Sequence, residues 1–289
     1  MNSLIPAVFV NLFYLVKGRP SGAWSMAKFS PLFSSSAGNC IYISSASSAI
    51  LIDAGRSARQ IETALRDNSL STDNIRGIFV THEHIDHIKG VRVLAKRLGI
   101  PVYSSEKTLN SLCSLDPAIS SEVRLIEVGR EGVECADMFI KPFKTSHDAI
   151  DSCGYTVCTA DNRRVGICTD LGYVSDEVES ALLGSDLVLI ESNHDVRMLE
   201  NGSYPYALKR RVLSERGHLS NDDCARQVGK LLNGGTTRFF LGHLSRENNV
   251  PELAYQTSKS VLTQLGAVCD YDYTLCVAPR DNNGKVVLF

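Results

Sequence analysis

The sequence predicts an α/β protein in which two mixed β-sheets pack face to face and helices cover their outer faces. Two observations lead to this class. Short apolar runs alternate with turns along most of the 289 residues, and they form two strand-rich sections, each followed by segments with helical spacing. A third observation locates a site, because a histidine-rich cluster, His82–His87, comes directly after one predicted strand.

The first section begins with three apolar runs, and the third of them ends in a glycine turn at Asp53-Ala54-Gly55. Alternation with turn residues predicts strands at Phe29–Phe33, Cys40–Ile43, Ala49–Ile52 and Gly77–Val80. Apolar residues at helical intervals predict helices at Ser57–Arg66 and from Ile85 to Leu98. Gly99 and Pro101 supply the stop signal for the second helix.

The second section repeats the pattern of apolar strands separated by amphipathic helices. Strands are predicted at Val123–Val128, Met138–Phe143, Tyr155–Thr159, Val165–Thr169, Leu187–Ile190, Arg238–Leu241, Tyr273–Val277 and Lys285–Leu288. Helices are predicted at Ser175–Leu183, Asp222–Leu232 and Glu252–Leu265. No repeat and no linker of domain length interrupts the chain, so residues 27–289 are interpreted as one domain.

Composition narrows the class of protein but not its substrate. The net charge of −2 gives no general attraction to nucleic acid, so any polyanion must be held by local features. Nine cysteines, odd in number and never spaced C-x-x-C, argue against a disulfide framework or a zinc ribbon and indicate reduced thiols. We therefore expect a cytoplasmic protein.

Residues 1–26 are interpreted as an N-terminal extension of doubtful relevance, with Met26 as a natural start. The apolar run Leu4–Val16 is interrupted by Pro6 and Asn11 and is too short to span a membrane as a helix. It also lacks the basic start and the cleavage site of a signal peptide. No stable membrane insertion is expected.

The cluster His82–His87 reads His-Glu-His-Ile-Asp-His, which concentrates three imidazoles and two carboxylates in six residues. A polar helix cap does not need three histidines, whereas a metal site does. On an extended loop His82 and His84 point the same way and can chelate one ion, while Asp86 and His87 on the following turn face a second. The cluster therefore predicts part of a centre for two divalent metal ions.

Three further residues follow apolar strand-like runs, where loops gather at one rim of a sheet: His147, Asp170 and His243. Two ions about 3.5–4 Å apart need neutral imidazoles and one bridging anionic oxygen. His147 would complete the first ion's ligands and His243 the second's, with Asp170 as the bridge. Bridged His and Asp sites accept zinc and manganese alike, so both Zn²⁺ and Mn²⁺ stay open.

This series of motifs resembles the metallo-β-lactamase superfamily, from about Phe29 to the end of the chain. The motifs occur in order: Asp53 after a strand, the cluster, then His147, Asp170 and His243. The resemblance implies a four-layer αβ/βα sandwich with the metals at one edge. It also implies that Asp53 supports the metal-binding loop through hydrogen bonds.

Substrate class is indicated by features that differ within the superfamily. Both Asp86 and Asp170 are kept, as in hydrolases of phosphodiesters, thioesters and lactones. Glu191 and His218 resemble a pair in tRNase Z-like nucleases. The segments that resemble the compact WalJ (YycJ)-type exonuclease subgroup are Phe33–Asn39, Glu191–Asp195 and Gly217–Asn221.

That resemblance implies a 5′-to-3′ exonuclease acting on DNA through a metal-bridging hydroxide. The candidate catalytic residues are Asp86, Asp170, His218 and Glu191. Asp86 and Asp170 would hold the ions, Asp170 would also orient the hydroxide, and His218, held by Glu191, would assist the leaving oxygen. Candidate phosphate contacts are Ser35, Ser36, Asn39, Ser245 and Asn249. His194 is interpreted as structural, and the basic run Lys209–Arg211 as a solvated helix face.

Two alternatives stay open, a tRNase Z-like ribonuclease and a thioester or lactone hydrolase with the same metal site. The expected partner is a nucleic acid substrate, DNA rather than RNA. No obligate protein partner is evident from the sequence.

Overall fold

The computed structural model describes residues 26–281 and 286–289. Residues 1–25, which form nearly all of the predicted N-terminal extension, lie outside the described residues, as does Lys285 of the predicted closing strand. In the described part, no helix is long and apolar enough to cross a membrane. All nine cysteines lie in the described part of the chain, and none of them forms a disulfide there.

The first half of the chain supplies six strands and five helices within the described residues. The strands are β1 (Lys28–Ser35), β2 (Gly38–Ser44), β3 (Ala49–Ile52), β4 (Ile75–Phe79), β5 (Val102–Ser104) and β6 (Leu125–Glu127). The helices are α1 (Ala58–Asp67), α2 (Ile85–Ile88), α3 (Val91–Leu98), α4 (Glu106–Leu115) and α5 (Ile119–Glu122).

The second half supplies the remaining described elements. The strands are β7 (Val133–Cys135), β8 (Met138–Lys144), β9 (Cys153–Cys158), β10 (Arg164–Cys168), β11 (Leu187–Glu191), β12 (Arg238–Gly242), β13 (Thr274–Val277) and β14 (Val287–Leu288). The helices are α6 (Asp176–Leu182), α7 (Val196–Asn201), α8 (Tyr206–Val212), α9 (Asn221–Asn233) and α10 (Pro251–Gln264).

The strands form two mixed sheets of seven strands each. The first has the order β14-β1-β2-β3-β4-β5-β6 and the second β13-β12-β11-β10-β9-β8-β7. Strands β3 to β6 run parallel to one another, as do β10 to β13. Parallel neighbours bring their carboxyl ends to the same edge, where loops can share a site.

Alternate residues of the central strands enter different cores. In β2, Ile41 and Ile43 pack between the two sheets, whereas Cys40 and Tyr42 pack toward the helices. This is the two-residue period of a strand with both faces buried, and it explains why the strand is apolar along most of its length. Helices α1, α3 and α4 cover the first sheet, and α6, α9 and α10 cover the second. The predicted four-layer sandwich is thereby confirmed.

The predicted helix from Ile85 to Leu98 is wrong in one respect, because it is broken into α2 and α3 at Gly90. The amide of Gly90 donates to the carbonyl of Ala54, and a side chain at Gly90 would meet the carbonyl of Arg56 at 2.1 Å. Tertiary packing therefore sets this break.

The predicted strand Val123–Val128 is shorter in the structure, because α5 occupies the chain up to Glu122 and pairing is confined to β6. Elements β5 and α4 received no prediction. Strand β5 has only three residues, which is too short for a periodic signal.

Candidate metal centre

The predicted metal ligands and Asp53 all lie just beyond the carboxyl ends of strands. Asp53 follows β3, the cluster follows β4 and His147 follows β8. Asp170 follows β10, and His243 follows β12. The loops of both sheets meet at one edge, so residues far apart in the chain become neighbours.

Three of these residues adopt a left-handed backbone conformation that non-glycine residues rarely adopt. The φ angles are 60° at Asp53, 57° at Asp170 and 54° at His243. Such strain persists only where the surrounding structure enforces it, and it is common at functional sites. At all three positions the strained residue lies in the turn that follows a strand.

Two groups of donor atoms sit side by side at this edge, and the space that they surround is called the cleft. In each group the donor atoms lie within 4.8 Å of one another: His82, His84 and His147 in the first, and Asp86, His87 and His243 in the second. Asp170 lies between the groups, with Oδ2 3.3 Å from Nε2 of His87 and Oδ1 3.8 Å from Nε2 of His147. The structure brings together all seven predicted ligands.

Several of these donor atoms are buried and have no hydrogen-bond partner within the described residues: Nε2 of His82, Nε2 of His243 and Oδ2 of Asp170. A buried polar atom without a partner costs roughly 1–3 kcal/mol. Divalent cations bound by imidazole and carboxylate would satisfy these atoms, so the residues fit metal ions chemically.

Asp53 fixes the orientation of His87 through a contact with its Nδ1. One carboxylate oxygen accepts from the amide of Thr81 at 2.8 Å, and the other lies 2.7 Å from Nδ1 of His87. A proton held on Nδ1 leaves Nε2 free as a ligand atom, which is how carboxylates orient metal-binding histidines. This geometry matches the supporting role that the sequence resemblance implies for Asp53.

Glu191 is fully buried and accepts four hydrogen bonds. Oε1 lies 2.8 Å from Nδ1 of His218 and 2.7 Å from Nδ1 of His243. Oε2 accepts from the backbone amides of Leu171 and Leu219, each at 3.0 Å. With every oxygen occupied, Glu191 orients two imidazoles and does not itself face the cleft.

The first donor group is oriented by different atoms. Nδ1 of His147 lies 3.0 Å from the carbonyl of Gly217, and Nδ1 of His82 lies 3.1 Å from the hydroxyl of Thr81. His84 is half-buried and forms the outer wall of this group.

Protonation states are set by burial and by neighbouring charges. Burial lowers the pKa of His82 well below its ordinary value, which keeps its imidazole neutral. Burial raises the pKa of Asp170, but the charges of His243 and His87 outweigh this and hold it well below the ordinary value. Asp170 is therefore an anion between the two groups, as a bridging ligand must be.

Three of the predicted phosphate contacts lie on the β1–β2 hairpin, and each has different surroundings. The amide nitrogen of Asn39 lies 3.1 Å from Nε2 of His87 and 3.4 Å from a carboxylate oxygen of Asp86, so Asn39 lies at the second group. Ser36 is exposed on the turn between β1 and β2. Ser35 is buried, and its hydroxyl accepts from the amide of Ala37 within that turn.

Ser245 and Asn249 are held by internal hydrogen bonds. The amide nitrogen of Asn249 donates to the carbonyls of Ser192 and Asn193, at 2.9 and 3.0 Å. The hydroxyl of Ser245 accepts from the amide of Asn248. Asn249 therefore belongs to a buried polar network beneath the His243 loop, and the structure does not bring it into the cleft.

Two residues that matter here were missed by the sequence analysis. Thr81 contacts Asp53, His82 and His87 together. Gly55 packs so closely under the cluster that a side chain there would meet the carbonyl of Asp86 at 1.7 Å. Their positions in the sequence could have identified both residues. Thr81 directly precedes the cluster, and Gly55 ends the turn that begins at Asp53.

Replacing Gly55 with Ala is expected to push the Asp86 loop outward and to lower the free energy of unfolding by about 3 kcal/mol. The number of metal ions bound per chain should decrease as well. Gly129→Ala is the matched control, because a side chain there meets no atom within 4 Å. Urea unfolding and elemental analysis of both variants measure the effect, and equal stability of the two would contradict the close approach.

The family model described as the β-lactamase superfamily domain matches residues 48–243, a span that includes every proposed ligand. The chain belongs to the metallo-β-lactamase superfamily. It is a metal-dependent hydrolase of that superfamily, as the sequence resemblance predicted.

Relatives with similar sequences have named activities. The chain is 38% identical over 238 residues to the exodeoxyribonuclease YycJ of Bacillus anthracis, covering 82% of this chain and 90% of that protein. It is 39% identical over 249 residues to the exodeoxyribonuclease WalJ of Streptococcus pneumoniae, covering 84% and 92%. The metallo-β-lactamase fold protein YhfI of Bacillus subtilis has a TM-score of 0.67 at 17% identity over 91% of this chain and 99% of its own, which shows the shared fold.

Proposed function

We propose that this hydrolase is an exonuclease that removes nucleotides from the 5′ end of DNA. One observation supports phosphodiester chemistry above other hydrolyses. His218 stands outside the two groups of proposed ligands, yet Glu191 holds it at 2.8 Å and its side chain is 18% exposed. Its donor atom lies within 4.8 Å of donor atoms of Asp170 and His243, so it is next to the proposed metal centre. The similarity to two exodeoxyribonucleases over more than four-fifths of the chain points the same way.

Burial lowers the pKa of His218, but the adjacent Glu191 carboxylate outweighs burial and raises that pKa above its ordinary value. An imidazolium held in this way can donate a proton. Nδ1 is engaged by Glu191, so the proton available to a substrate is the one on Nε2.

The residues of the cleft divide the chemistry between them. Divalent ions bound by the two donor groups would supply Lewis-acid charge and an activated water. Asn39, whose amide nitrogen lies at the second donor group, would donate to an oxygen of the bound phosphate. As the new bond to phosphorus forms and the P–O3′ bond breaks, His218 gives its proton to the leaving O3′ of the terminal nucleotide. The products are that nucleotide and a chain that keeps its 5′-phosphate.

Replacing His218 with Ala is expected to lower kcat on DNA by about 10²–10⁴-fold while metal content stays at the wild-type level. His194→Ala is the matched control, because this nearby histidine is buried and its ring nitrogens have no hydrogen-bond partner within the described residues. Its kcat should stay near the wild-type value. A His218→Ala enzyme at full rate would show that another group protonates the leaving oxygen.

A substrate panel tests the proposal itself. Metal-analysed protein is incubated with 5′-phosphorylated and unphosphorylated DNA and RNA, with and without chelator, and product sizes are determined. Mononucleotides from 5′-phosphorylated DNA are expected. Cleavage of RNA alone would support a tRNase Z-like ribonuclease, and activity confined to thioesters or lactones would contradict a nuclease.

A further inference from the structure

A basic helix packs directly beside the proposed metal centre. Helix α8 carries Lys209, Arg210 and Arg211 in its last turn. The guanidinium of Arg211 donates from Nε to Asp148, whose other carboxylate oxygen lies 3.3 Å from Nε2 of His147. A single carboxylate therefore separates this helix from a proposed metal ligand.

The segment after α8 is tied to the same loop. The hydroxyl of Ser146 donates to the carbonyl of Glu215, and Arg216 Nη2 lies 3.4 Å from the carbonyl of His147. Gly217 then accepts from His147, and His218 follows it. Helix α8 is thus held at a fixed position relative to the cleft.

The outer face of α8 carries an exposed aromatic ring beside an unpaired cation. Tyr206 is 75% exposed, and the guanidinium carbon of Arg210, one turn later, lies 6.0 Å from its ring centroid. Within the described residues Arg210 forms no ion pair. The guanidinium covers one side of the ring, and the high exposure leaves the other side open to solvent.

This combination matches the chemistry of a nucleic-acid strand. An exposed tyrosine with a cation over its ring is a stacking surface for a planar ring, and the cation suits a phosphate backbone. Tyr206 precedes Arg211 by five residues, or about 7.5 Å along the helix axis.

We propose that Tyr206 and Arg210 bind the DNA strand next to its point of cleavage, with an unpaired base stacked on Tyr206 and a backbone phosphate on Arg210. This rests on the proposed nuclease function and adds a positioning surface outside the metal centre. Arg210 is then a substrate contact rather than part of the solvated helix face that the sequence pattern favours.

Steady-state kinetics on two substrates tests the proposal. One is a single-stranded 20-nucleotide DNA, and the other is the p-nitrophenyl ester of thymidine 5′-phosphate, which is too short to reach α8. Tyr206→Ala and Arg210→Gln should each raise KM for the 20-mer about fivefold or more, with kcat and the small-ester reaction unchanged. Tyr206→Phe keeps the ring and should keep the wild-type KM.

Tyr271→Ala is the matched control, because Tyr271 is 88% exposed but precedes β13 and so lies at the opposite end of the sheet from the cleft. It should behave as wild type. Unchanged KM in both α8 variants, or equal losses on the 20-mer and the small ester, would overturn the stacking surface. Wild-type protein that cleaves no nucleic acid at all would instead overturn the proposed function on which it rests.

Discussion

Replacing Asp170 with Asn is expected to lower kcat at least about 10³-fold, with little change in fold. The substitution keeps the shape of the side chain but removes the one anion that lies between the two donor groups. Metal ions contribute several kcal/mol of transition-state stabilisation, and each 1.36 kcal/mol is a factor of ten in rate. The loss should therefore appear in both metal content and kcat.

Asp73→Asn is the matched control for this change, because Asp73 is exposed on the loop that enters β4 at the far end of the sheet. Elemental analysis and nuclease kinetics on both variants measure the difference. An Asp170→Asn protein that retains two ions and the wild-type rate would exclude Asp170 as a bridging ligand.

Replacing Glu191 with Gln is expected to have the second largest effect, and it acts on stability as well as on metal binding. The four groups that approach this carboxylate are all donors: Nδ1 of His218, Nδ1 of His243 and the amides of Leu171 and Leu219. An amide side chain must turn its NH₂ toward one pair of them. Whichever way it turns, two donors lose their acceptor.

The cost of that mismatch follows from burial. Removing one partner of a buried charged network destabilises a protein by roughly 3–5 kcal/mol. If the two histidines instead change tautomer, the proton moves to Nε2 of His243, where it blocks a ligand atom. Loss of such an orienting carboxylate lowers metal affinity by about 10–100-fold.

Urea unfolding of the apo and metal-loaded forms separates the two parts of this prediction. Glu177→Gln is a suitable control, because Glu177 is an exposed carboxylate in the first turn of α6. A Glu191→Gln protein with unchanged stability and unchanged metal affinity would mean that His218 and His243 do not depend on this carboxylate.

The sequence predicts the proposed ligands well because each one follows an apolar strand, and sheet geometry then brings strand ends together. Asp53, Asp170 and His243 share that position, and each turns sharply at a left-handed residue. The roles of Glu191 and His218 could not be predicted in this way. Nothing in their local sequence shows that one carboxylate supports two imidazoles, and only the resemblance to known nucleases identified the pair.

Contacts between distant segments account for what the sequence did not predict. The break at Gly90 depends on the carbonyls of Ala54 and Arg56, more than thirty residues earlier in the chain. Asn249 follows the proposed ligand His243 closely in sequence, yet its side chain is part of a buried network with Ser192 and Asn193. In the sequence, helix α8 is recognisable only as a basic run. The structure shows that Arg211 of this helix forms an ion pair with Asp148, which directly follows His147.

The most direct measurement is a metal titration of stripped protein, in which bound ions and cleavage of 5′-phosphorylated DNA are followed together. The site has two groups of three donors joined by Asp170. We therefore expect no cleavage before metal is added, a rate that rises to a plateau at two ions per chain, and mononucleotides as products. The same plateau is expected with whichever of Zn²⁺ and Mn²⁺ supports activity. Cleavage without metal, or a plateau at one ion per chain, would contradict a two-metal exonuclease.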